Sequence, residues 1–453
     1  MAEVLGLVLL SLPFVIAFLL AILIVVMFVL SYQRFGFGLA LTALTCWLDA
    51  ATQSAPVLQL GVRLYVADLP FMVLGAVTAL RWLAAKDIPW RHPGWVIYVL
   101  VFFVNLGWGL ATQGTAAGVQ ARGDFYAVVA ASYAMSFPIG REQVRQLLRA
   151  TAWLAVALAV LTTYRWVVYY TPITDLLPPG GVYNVDGPIR VISSAHALVL
   201  AESLLLGLYF AHISGAGAAL RVLAPLLLGF VVALQHRSVW LSGLVGVGVS
   251  MLLARAQRMP LWQQLGAVGL MALLVVGGLL YGGRLSQDVV SSAERAVSGQ
   301  GTVQARFDNW RATLTDWRQA GARSILIGRP LGGDTTRLVA DSDGRTLRIA
   351  FGAHNNYIAQ LVGSGLIGFA GLLWALASAV RGLWQLCRRD TASADWAALL
   401  LVLLGVQLAY YVAYAVDFMQ LLVLGMAVAG VAVNRSATAP VRPQASTQRA
   451  SLA

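Results

Sequence analysis

Long runs of apolar residues, separated by short polar segments, dominate the chain. Runs of about 20 apolar residues are long enough to cross a bilayer as helices. The pattern predicts thirteen spans, near residues 5–30, 36–54, 67–84, 93–112, 124–140, 149–170, 193–212, 221–235, 238–254, 262–282, 355–380, 396–416 and 418–434. We therefore expect an all-α polytopic membrane protein with 12–13 transmembrane helices, forming one transmembrane domain over residues 1–434.

Short basic segments between the spans predict the orientation, because such segments favour the cytoplasm. Four basic segments fall on the same side of the membrane when successive spans cross it in alternate directions: RWLAAKDIPWRH, REQVRQLLR, ARAQR and RGLWQLCRRD. The tail at 435–453, rich in Ser, Ala, Thr and Pro, falls on the same side and is predicted to be disordered. Thirteen spans place the N-terminus outside, whereas two short half-spans within Val4–Leu30 would place it inside.

One long polar segment, residues 283–353, is predicted as a periplasmic loop inserted within the transmembrane domain. Its first part has an amphipathic helical pattern, with Phe307, Trp310, Leu314 and Trp317 on one stripe. A Gly/Pro-rich turn region, GRPLGGDTTRL, follows. The segment LVADSDGRTLRIAF then alternates around Asp-Gly, which predicts a β-hairpin.

Composition supports the membrane assignment and limits the possible functions. The 453 residues are 59% hydrophobic and 11% charged, whereas soluble domains are about a quarter charged. The net charge is +12, but half of the charges lie in short loops between apolar spans, where a positive-inside bias is expected, so no nucleic-acid partner is predicted. Metal-ligand spacings such as His-Glu-x-x-His and paired Cys-x-x-Cys are absent from the sequence, and neither a metal nor a cofactor is expected.

Three basic or titratable residues stand at predicted outer span boundaries. Arg190 and Arg237 each adjoin an apolar span, where a guanidinium is costly unless an anion or a wet cavity receives it. Simple snorkelling to the interface is the alternative. His354 stands beside Asn355 and Asn356 at the start of a predicted span, and a histidine there is suited to act as a general base.

Several segments between about residues 180 and 435 resemble the O-antigen ligase and polysaccharide polymerase superfamily. His354-Asn355, nine residues and then GLIG resemble the histidine motif of that family. The segment RFDNWRATLTDWRQAGARSILIGRPLGG resembles the Arg-x-x-x-Trp helix and turn that precede it. QHRSVWLSGLVGV and GPIRVISSAHALVLAESL resemble two arginine-bearing entries to spans.

The resemblance implies a GT-C-like glycosyltransferase of the bacterial inner membrane, with its active site facing the periplasm. Its donor would be a glycan on undecaprenyl pyrophosphate, and its acceptor another glycan or the lipid A core. His354 would be the base, and Arg190, Arg237, Arg306 and Arg311 would hold the pyrophosphate without a metal. Asn355, Asn356, Tyr357, Arg329 and Trp310 are possible supporting residues.

Four functions remain open at the sequence level, and a protein O-oligosaccharyltransferase ranks behind the polymerase and the ligase. The segments HRSVWL and LYVADLPF resemble exopolysaccharide polymerases, which extend lipid-linked repeat units, more than ligases, which transfer the glycan to lipid A. A flippase for the same lipid-linked sugars is the alternative of a different class. Asp49, Glu202 and Asp417, within or at the ends of spans, keep that alternative open, since such residues mark ion routes in transporters.

Overall fold

A computed structural model describes most of the chain. The described residues are 2–53, 55–59, 63–85, 92–174, 176–177, 190–210, 213, 217–257, 302–333, 337–340, 346–349, 354–388 and 393–438. The helices are α1 (Ala2–Gln33), α2 (Phe35–Thr52), α3 (Asp68–Ala85), α4 (Pro93–Gln113), α5 (Thr115–Met135), α6 (Arg141–Tyr170), α7 (Ser194–Tyr209), α8 (Gly217–Ala233), α9 (Arg237–Gln257), α10 (Thr302–Gln319), α11 (Ala322–Ile327), α12 (Asn356–Arg388), α13 (Ala394–Tyr410) and α14 (Phe418–Thr438). Two antiparallel ribbons pair β1 (Leu58–Gln59) with β2 (Arg63–Leu64), and β3 (Arg337–Ala340) with β4 (Thr346–Ile349).

The helices agree with an all-α membrane protein. Among the described residues, six helices, or parts of them, are long and apolar enough to cross a bilayer: Val15–Gln33, α2, α3, α4, α6 and α12. Five shorter apolar helices, Ser194–Tyr209, Val222–Ala233, Arg237–Leu253, Ala394–Tyr410 and Phe418–Asn434, match further predicted spans. The predicted span at 262–282 lies outside the described residues.

The predicted span at 124–140 is displaced. Helix α4 ends at Gln113, and α5 begins at Thr115 after the single residue Gly114, so the polar segment predicted as a loop is largely helical. Gly114 has a φ of 59°, a left-handed conformation that glycine adopts without steric cost. Hydropathy did not predict the first part of α5, because residues 115–124 are more polar than a membrane span. Hydropathy indicates whether a segment is suited to lipid or water, and it does not indicate whether the backbone is helical.

The middle of the bundle is packed around α5, α7, α13 and α14. Every residue of α5 from Tyr126 to Met135 is buried, as is every residue of α13 from Trp396 to Leu404. A helix that is covered on all sides belongs to the interior of a bundle. By contrast, the side chains of α1 from Val15 to Leu23 are exposed. An apolar helix with an exposed surface of this kind is suited to face lipid.

The described part of the long loop docks against α4 and α12. The amide Nδ2 of Asn105, in the middle of α4, donates to the carbonyls of Ile327 (2.6 Å) and Gly363 (2.9 Å). The backbone N of Leu331 donates to the carbonyl of Asn105 at 3.3 Å. One buried side chain therefore joins the loop to two helices. The predicted hairpin is confirmed in its strands, which pair from Arg337↔Ile349 to Ala340↔Thr346.

Helix α12 is broken at one residue where the loop reaches it. Gly365 has φ 63° and ψ −174°, which is not helical, and it divides the 33-residue α12 into two segments. A Cβ at Gly365 would collide with the backbone of Leu326 and Gly328. The absence of a side chain at Gly365 therefore lets the loop backbone approach the helix closely.

The chain's C-terminal helix is longer than the sequence pattern predicts. Helix α14 runs to Thr438, four residues into the segment 435–453 that was predicted to be disordered. Those residues, Arg435 to Thr438, are polar, so a hydropathy window ends before them. The remainder of the predicted tail, 439–453, lies outside the described residues.

Candidate functional site

The predicted site residues lie at one end of the bundle, where α7, α9, α12 and α14 begin and α13 ends; we call it the site end. The hydroxyl groups of Tyr410 and Ser194 are 2.7 Å apart, which joins the end of α13 to the start of α7. The backbone N of Asn356 donates to the carbonyl of Tyr411 at 2.8 Å, which joins the start of α12 to the same place. The polar groups of α7, α12 and α13 therefore meet in one region.

His354 precedes α12 in a strained backbone conformation. Its φ of 44° is left-handed, which is uncommon for a residue with a side chain. The helix is capped by the next residue, because Asn355 Oδ1 accepts from the backbone N of Ile358 at 3.1 Å. Such strain persists where the surrounding contacts determine the conformation, and it is concentrated at functional sites.

Tyr414 connects His354 with Arg306. The rings of His354 and Tyr414 are 6.4 Å apart and nearly perpendicular at 87°. The Arg306 guanidinium carbon lies 5.2 Å from the centre of the same tyrosine ring. Tyr410 stacks on Tyr414 with 5.2 Å between ring centres, so the tyrosine pair holds the basic groups near the end of α13.

The electrostatic surroundings keep the His354 imidazole neutral. His354 remains accessible to solvent. Desolvation by the groups packed around the ring lowers its pKa from the ordinary value, and the positive charge of Arg306 lowers it further. A neutral imidazole has an unprotonated nitrogen, so His354 is available to accept a proton at neutral pH.

Arg190 and His236 form a second basic cluster, at the start of α9. Arg190 Nη2 donates to the carbonyl of Gln235 at 3.1 Å, and His236 Nε2 lies 3.2 Å from the carbonyl of Ile192. Burial lowers the pKa of His236 to about 4, and the charge of Arg190 contributes to the lowering. A neutral His236 that bonds to a carbonyl through Nε2 carries its proton there, which leaves Nδ1 as an acceptor.

This second cluster contains several buried polar atoms that have no hydrogen-bond partner within the described part of the chain: Arg190 Nε, Gln235 Nε2, His236 Nδ1 and Ser238 Oγ. Buried polar groups normally have partners, so such a group calls for one. Arg190 Nε and Gln235 Nε2 are donors, and Ser238 also carries a hydroxyl donor. Arg237 is the first residue of α9, whose N-terminus favours negative charge. The arrangement is suited to an anion such as a phosphate.

The other predicted residues divide into structural and peripheral positions. Asn356 is buried, and its Oδ1 accepts from Val416 N at 3.4 Å and Gln360 Nε2 at 3.5 Å. Tyr357 donates to the carbonyl of Leu408 at 2.9 Å. Asn356 therefore attaches α12 to the connection that carries Tyr414, and Tyr357 attaches α12 to α13. Both contacts fix the start of α12, next to His354.

The remaining three lie on or beside α10. Trp310 packs edge-on against Phe307, with 5.1 Å between ring centres, and Arg311 is exposed. Arg329 Nη2 donates to the carbonyl of Asp316 at 2.7 Å. That carbonyl belongs to the last turn of α10, where a cation also compensates the helix dipole. The described contact of Arg329 therefore stabilises the helix that carries Arg306.

A buried polar cluster supports the segment that carries Arg190. Arg165 donates to the carbonyls of Val191 (2.7 Å), Ala50 (2.9 Å) and Ala51 (3.0 Å). His196 Nδ1 lies 2.7 Å from Ser193 Oγ, and its Nε2 lies 3.9 Å from Asp49. These groups surround a cavity of about 40 Å³. Arg165, on α6, therefore connects the end of α2 with the segment that precedes α7.

Sequence reasoning missed Tyr410, Tyr414, Gln235 and Ser238. The segment AYYVAYAVD carries three tyrosines at a predicted outer boundary, which was the available signal. Tyrosines are common at membrane interfaces for packing alone, so their number did not indicate which one contacts His354.

No protein-family model and no curated protein sequence matches this chain.

Proposed function

We propose that this protein is a membrane glycosyltransferase that uses a glycan carried on undecaprenyl pyrophosphate as its donor. The observation that carries the proposal is the pairing of His354 with Arg306 at Tyr414. A second anion-suited cluster at Arg190 lies at the same end of the bundle. Both groups of residues come from the segments that resemble the family, which supports the proposal. The site end would face the periplasm of a bacterial inner membrane.

The proposed reaction needs one base and one charged region. His354 removes the proton from an acceptor hydroxyl as its oxygen attacks the anomeric carbon of the donor. The bond between that carbon and the phosphate oxygen breaks, and the prenyl pyrophosphate leaves with the electron pair. Arg190, Arg237 and Arg306 neutralise the growing negative charge. By analogy with an oxyanion donor, each such contact lowers the barrier by about 3–4 kcal/mol.

The preferred acceptor is another lipid-linked repeat unit, which makes the protein a polymerase. The segments HRSVWL and LYVADLPF support this choice by resemblance. A ligase would instead use the sugar core of lipid A. The two reactions share the donor and the base, so they differ only in which hydroxyl reaches His354.

A flippase for lipid-linked sugars is the second candidate, and buried carboxyl groups favour it. Glu202 is 5% exposed and accepts from Gln407 Nε2 at 2.9 Å. Asp417 lies between α13 and α14, and burial raises its pKa to about 7. Carboxyl groups in such positions are typical of ion-coupled transport.

The decisive variant is His354→Ala in the purified protein, supplied with lipid-linked repeat units. We expect transfer to fall at least 100-fold, since a positioned general base contributes 10²–10⁴-fold. The product is measured by gel mobility and mass spectrometry, with and without a lipid A core acceptor. Longer lipid-linked chains identify a polymerase, and glycan on lipid A identifies a ligase.

The matched control is Arg318→Ala, on the exposed surface of α10. It should leave the rate unchanged. Thermal melting establishes that His354→Ala folds. Full transfer by a folded His354→Ala protein would remove the base from the mechanism. Leaflet exchange without any glycan transfer by the wild-type protein would identify a flippase and reject the proposal.

A further inference from the structure

A cleft of about 400 Å³ lies at the opposite end of the bundle from His354, between the start of α4, the second half of α12 and the end of α14. Its walls are mainly apolar, with Trp95, Trp374, Ala379 and Val431 among the lining side chains. His92 and Ser378 are its polar residues, together with exposed backbone. We call it the inner cleft.

Two glycine contacts create the inner cleft. A Cβ at Gly94 would lie 2.8 Å from the carbonyl oxygen of Gly371, so α4 and α12 are in backbone contact at this point. A Cβ at Gly382 would collide with Val431, so α12 and α14 touch about three turns further along. Between these two contacts the helices leave a gap. The gap is open at the surface of the bundle, so an occupant can enter it from outside.

The charges beside the cleft favour an anionic occupant. Trp374, Ser378 and Arg381 follow one another at helical spacings of four and three residues, so they lie on one face of α12. Trp374 is 52% exposed at the cleft, and Arg381 is exposed one turn beyond Ser378. A headgroup beside Arg381 would leave an acyl chain in line with the apolar walls.

We propose that the inner cleft binds an anionic glycerophospholipid, with its phosphate at Arg381 and an acyl chain between α4, α12 and α14. Basic pockets between membrane helices on the cytoplasmic side are suited to such headgroups. Two of the basic segments predicted to be cytoplasmic adjoin the helices of the cleft. RWLAAKDIPWRH precedes α4, and RGLWQLCRRD lies at the end of α12. This lipid would differ in site and in chemistry from the proposed glycan donor.

The test is lipid binding by the full-length protein in detergent, measured by native mass spectrometry. The probes are phosphatidylglycerol and phosphatidylcholine with identical acyl chains. We expect one tightly held phosphatidylglycerol per chain and a preference for it over phosphatidylcholine. Arg381→Ala should reduce that preference about fivefold while phosphatidylcholine binding is unchanged. Arg149→Ala, which removes an exposed arginine of α6, is the matched control and should keep the preference.

Ser378→Phe tests the acyl-chain part, because its ring would occupy the cleft. It should lower the binding of both lipids, and its folding is checked by thermal melting. Arg381 is exposed, so Arg381→Ala keeps the test valid if Ser378→Phe does not fold. Equal binding of the two lipids by the wild-type protein, or an unchanged preference in Arg381→Ala, would overturn the proposal. Displacement of phosphatidylglycerol by undecaprenyl phosphate at an equal concentration would also overturn it, because the cleft would then serve the carrier lipid.

Discussion

At the scale of single residues, one tyrosine determines how the proposed base and one proposed cation are placed. Tyr414 lies beside the imidazole of His354 and below the guanidinium of Arg306. The charge of Arg306 helps to keep His354 neutral. In the proposed reaction the same guanidinium would also stabilise the departing pyrophosphate, so one arginine would serve two purposes.

The variant Arg306→Gln should change the pH dependence as well as the rate. Activity requires neutral His354, so it falls as the pH drops through the pKa of that histidine. Removing the positive charge raises this pKa, and the acid limb of kcat/KM should move to higher pH. The rate on the plateau should fall about 100-fold if Arg306 also stabilises the leaving group. The measurement is the pH profile of transfer.

The exposed Arg318→Gln substitution on the same helix is the control for that profile. It removes one positive charge from α10 at an exposed position, and we expect its acid limb to coincide with that of the wild-type protein. An acid limb in Arg306→Gln that also coincides with the wild type would show that Arg306 does not act on His354.

The sequence identifies these reactive groups more readily than their partners. His354 and Arg306 were predicted as site residues because they occupy recognisable motifs, and the structure brings them together at Tyr414. Arg190 and Arg237 were predicted from their positions beside apolar spans. The role of Tyr414 was not predictable, since it depends on how α13 ends against α12. Such contacts are set by packing between helices that are distant in sequence.

At the scale of structural elements, the loop packs against the helix bundle at the break in α12. Gly365 leaves the helical conformation, and the backbone of Leu326 and Gly328 occupies the space where a side chain would stand. Asn105 ties the same region to α4. The segment that carries Arg306 is therefore fixed to the helix that begins beside His354.

Gly365→Ala should weaken this attachment. Alanine disfavours a φ of 63°, and its methyl group would meet the loop backbone. We expect a loss of about 1–3 kcal/mol of stability, measured by thermal or denaturant unfolding, with faster proteolysis of residues 302–333.

Gly363→Ala is the paired control, because a Cβ at Gly363 meets nothing within 4 Å. It should retain or slightly raise stability, since alanine is the better helix former. Equal effects of the two substitutions would mean that the break at Gly365 does not hold the loop.

Element boundaries show where hydropathy alone was insufficient. The spans at 36–54 and 67–84 agree closely with α2 and α3 because both the chain conformation and the polarity change at their ends. At Gly114 the conformation changes within one residue while the sequence remains polar for about ten more. The prediction therefore placed a loop where α5 has already begun.

At the scale of the whole molecule, the two ends of the bundle have different chemistry. The site end contains His354, Arg306 and Arg190, with buried polar atoms that lack partners among the described residues. At the opposite end, Arg81 donates to the carbonyls of Tyr32 (2.7 Å) and Ser136 (3.1 Å), so its guanidinium has hydrogen-bond partners within the protein. The sequence predicts that the site end faces the periplasm.

Cysteine labelling tests this orientation in intact cells. Cys46 and Cys387 are buried, and both would be replaced by alanine in the parent protein. Thr315→Cys, exposed on α10, should react with a membrane-impermeant maleimide added outside, after the outer membrane is permeabilised.

Arg141→Cys, exposed at the start of α6, should react only after the inner membrane is opened. The two positions belong to opposite predicted faces and serve as controls for each other. The reverse labelling pattern would place the proposed site in the cytoplasm, where soluble nucleotide sugars are available, and would remove the reason for a lipid-linked donor.

The hydrogen bonds of Asn105 have a consequence for protein engineering. Because this one amide connects α4 with both the segment 302–333 and α12, that segment does not form an independent module. A chimera that receives this segment from another protein would also need a matching side chain halfway along α4. Domain exchange at this boundary should therefore be planned as a joint replacement of the segment and its helical anchor.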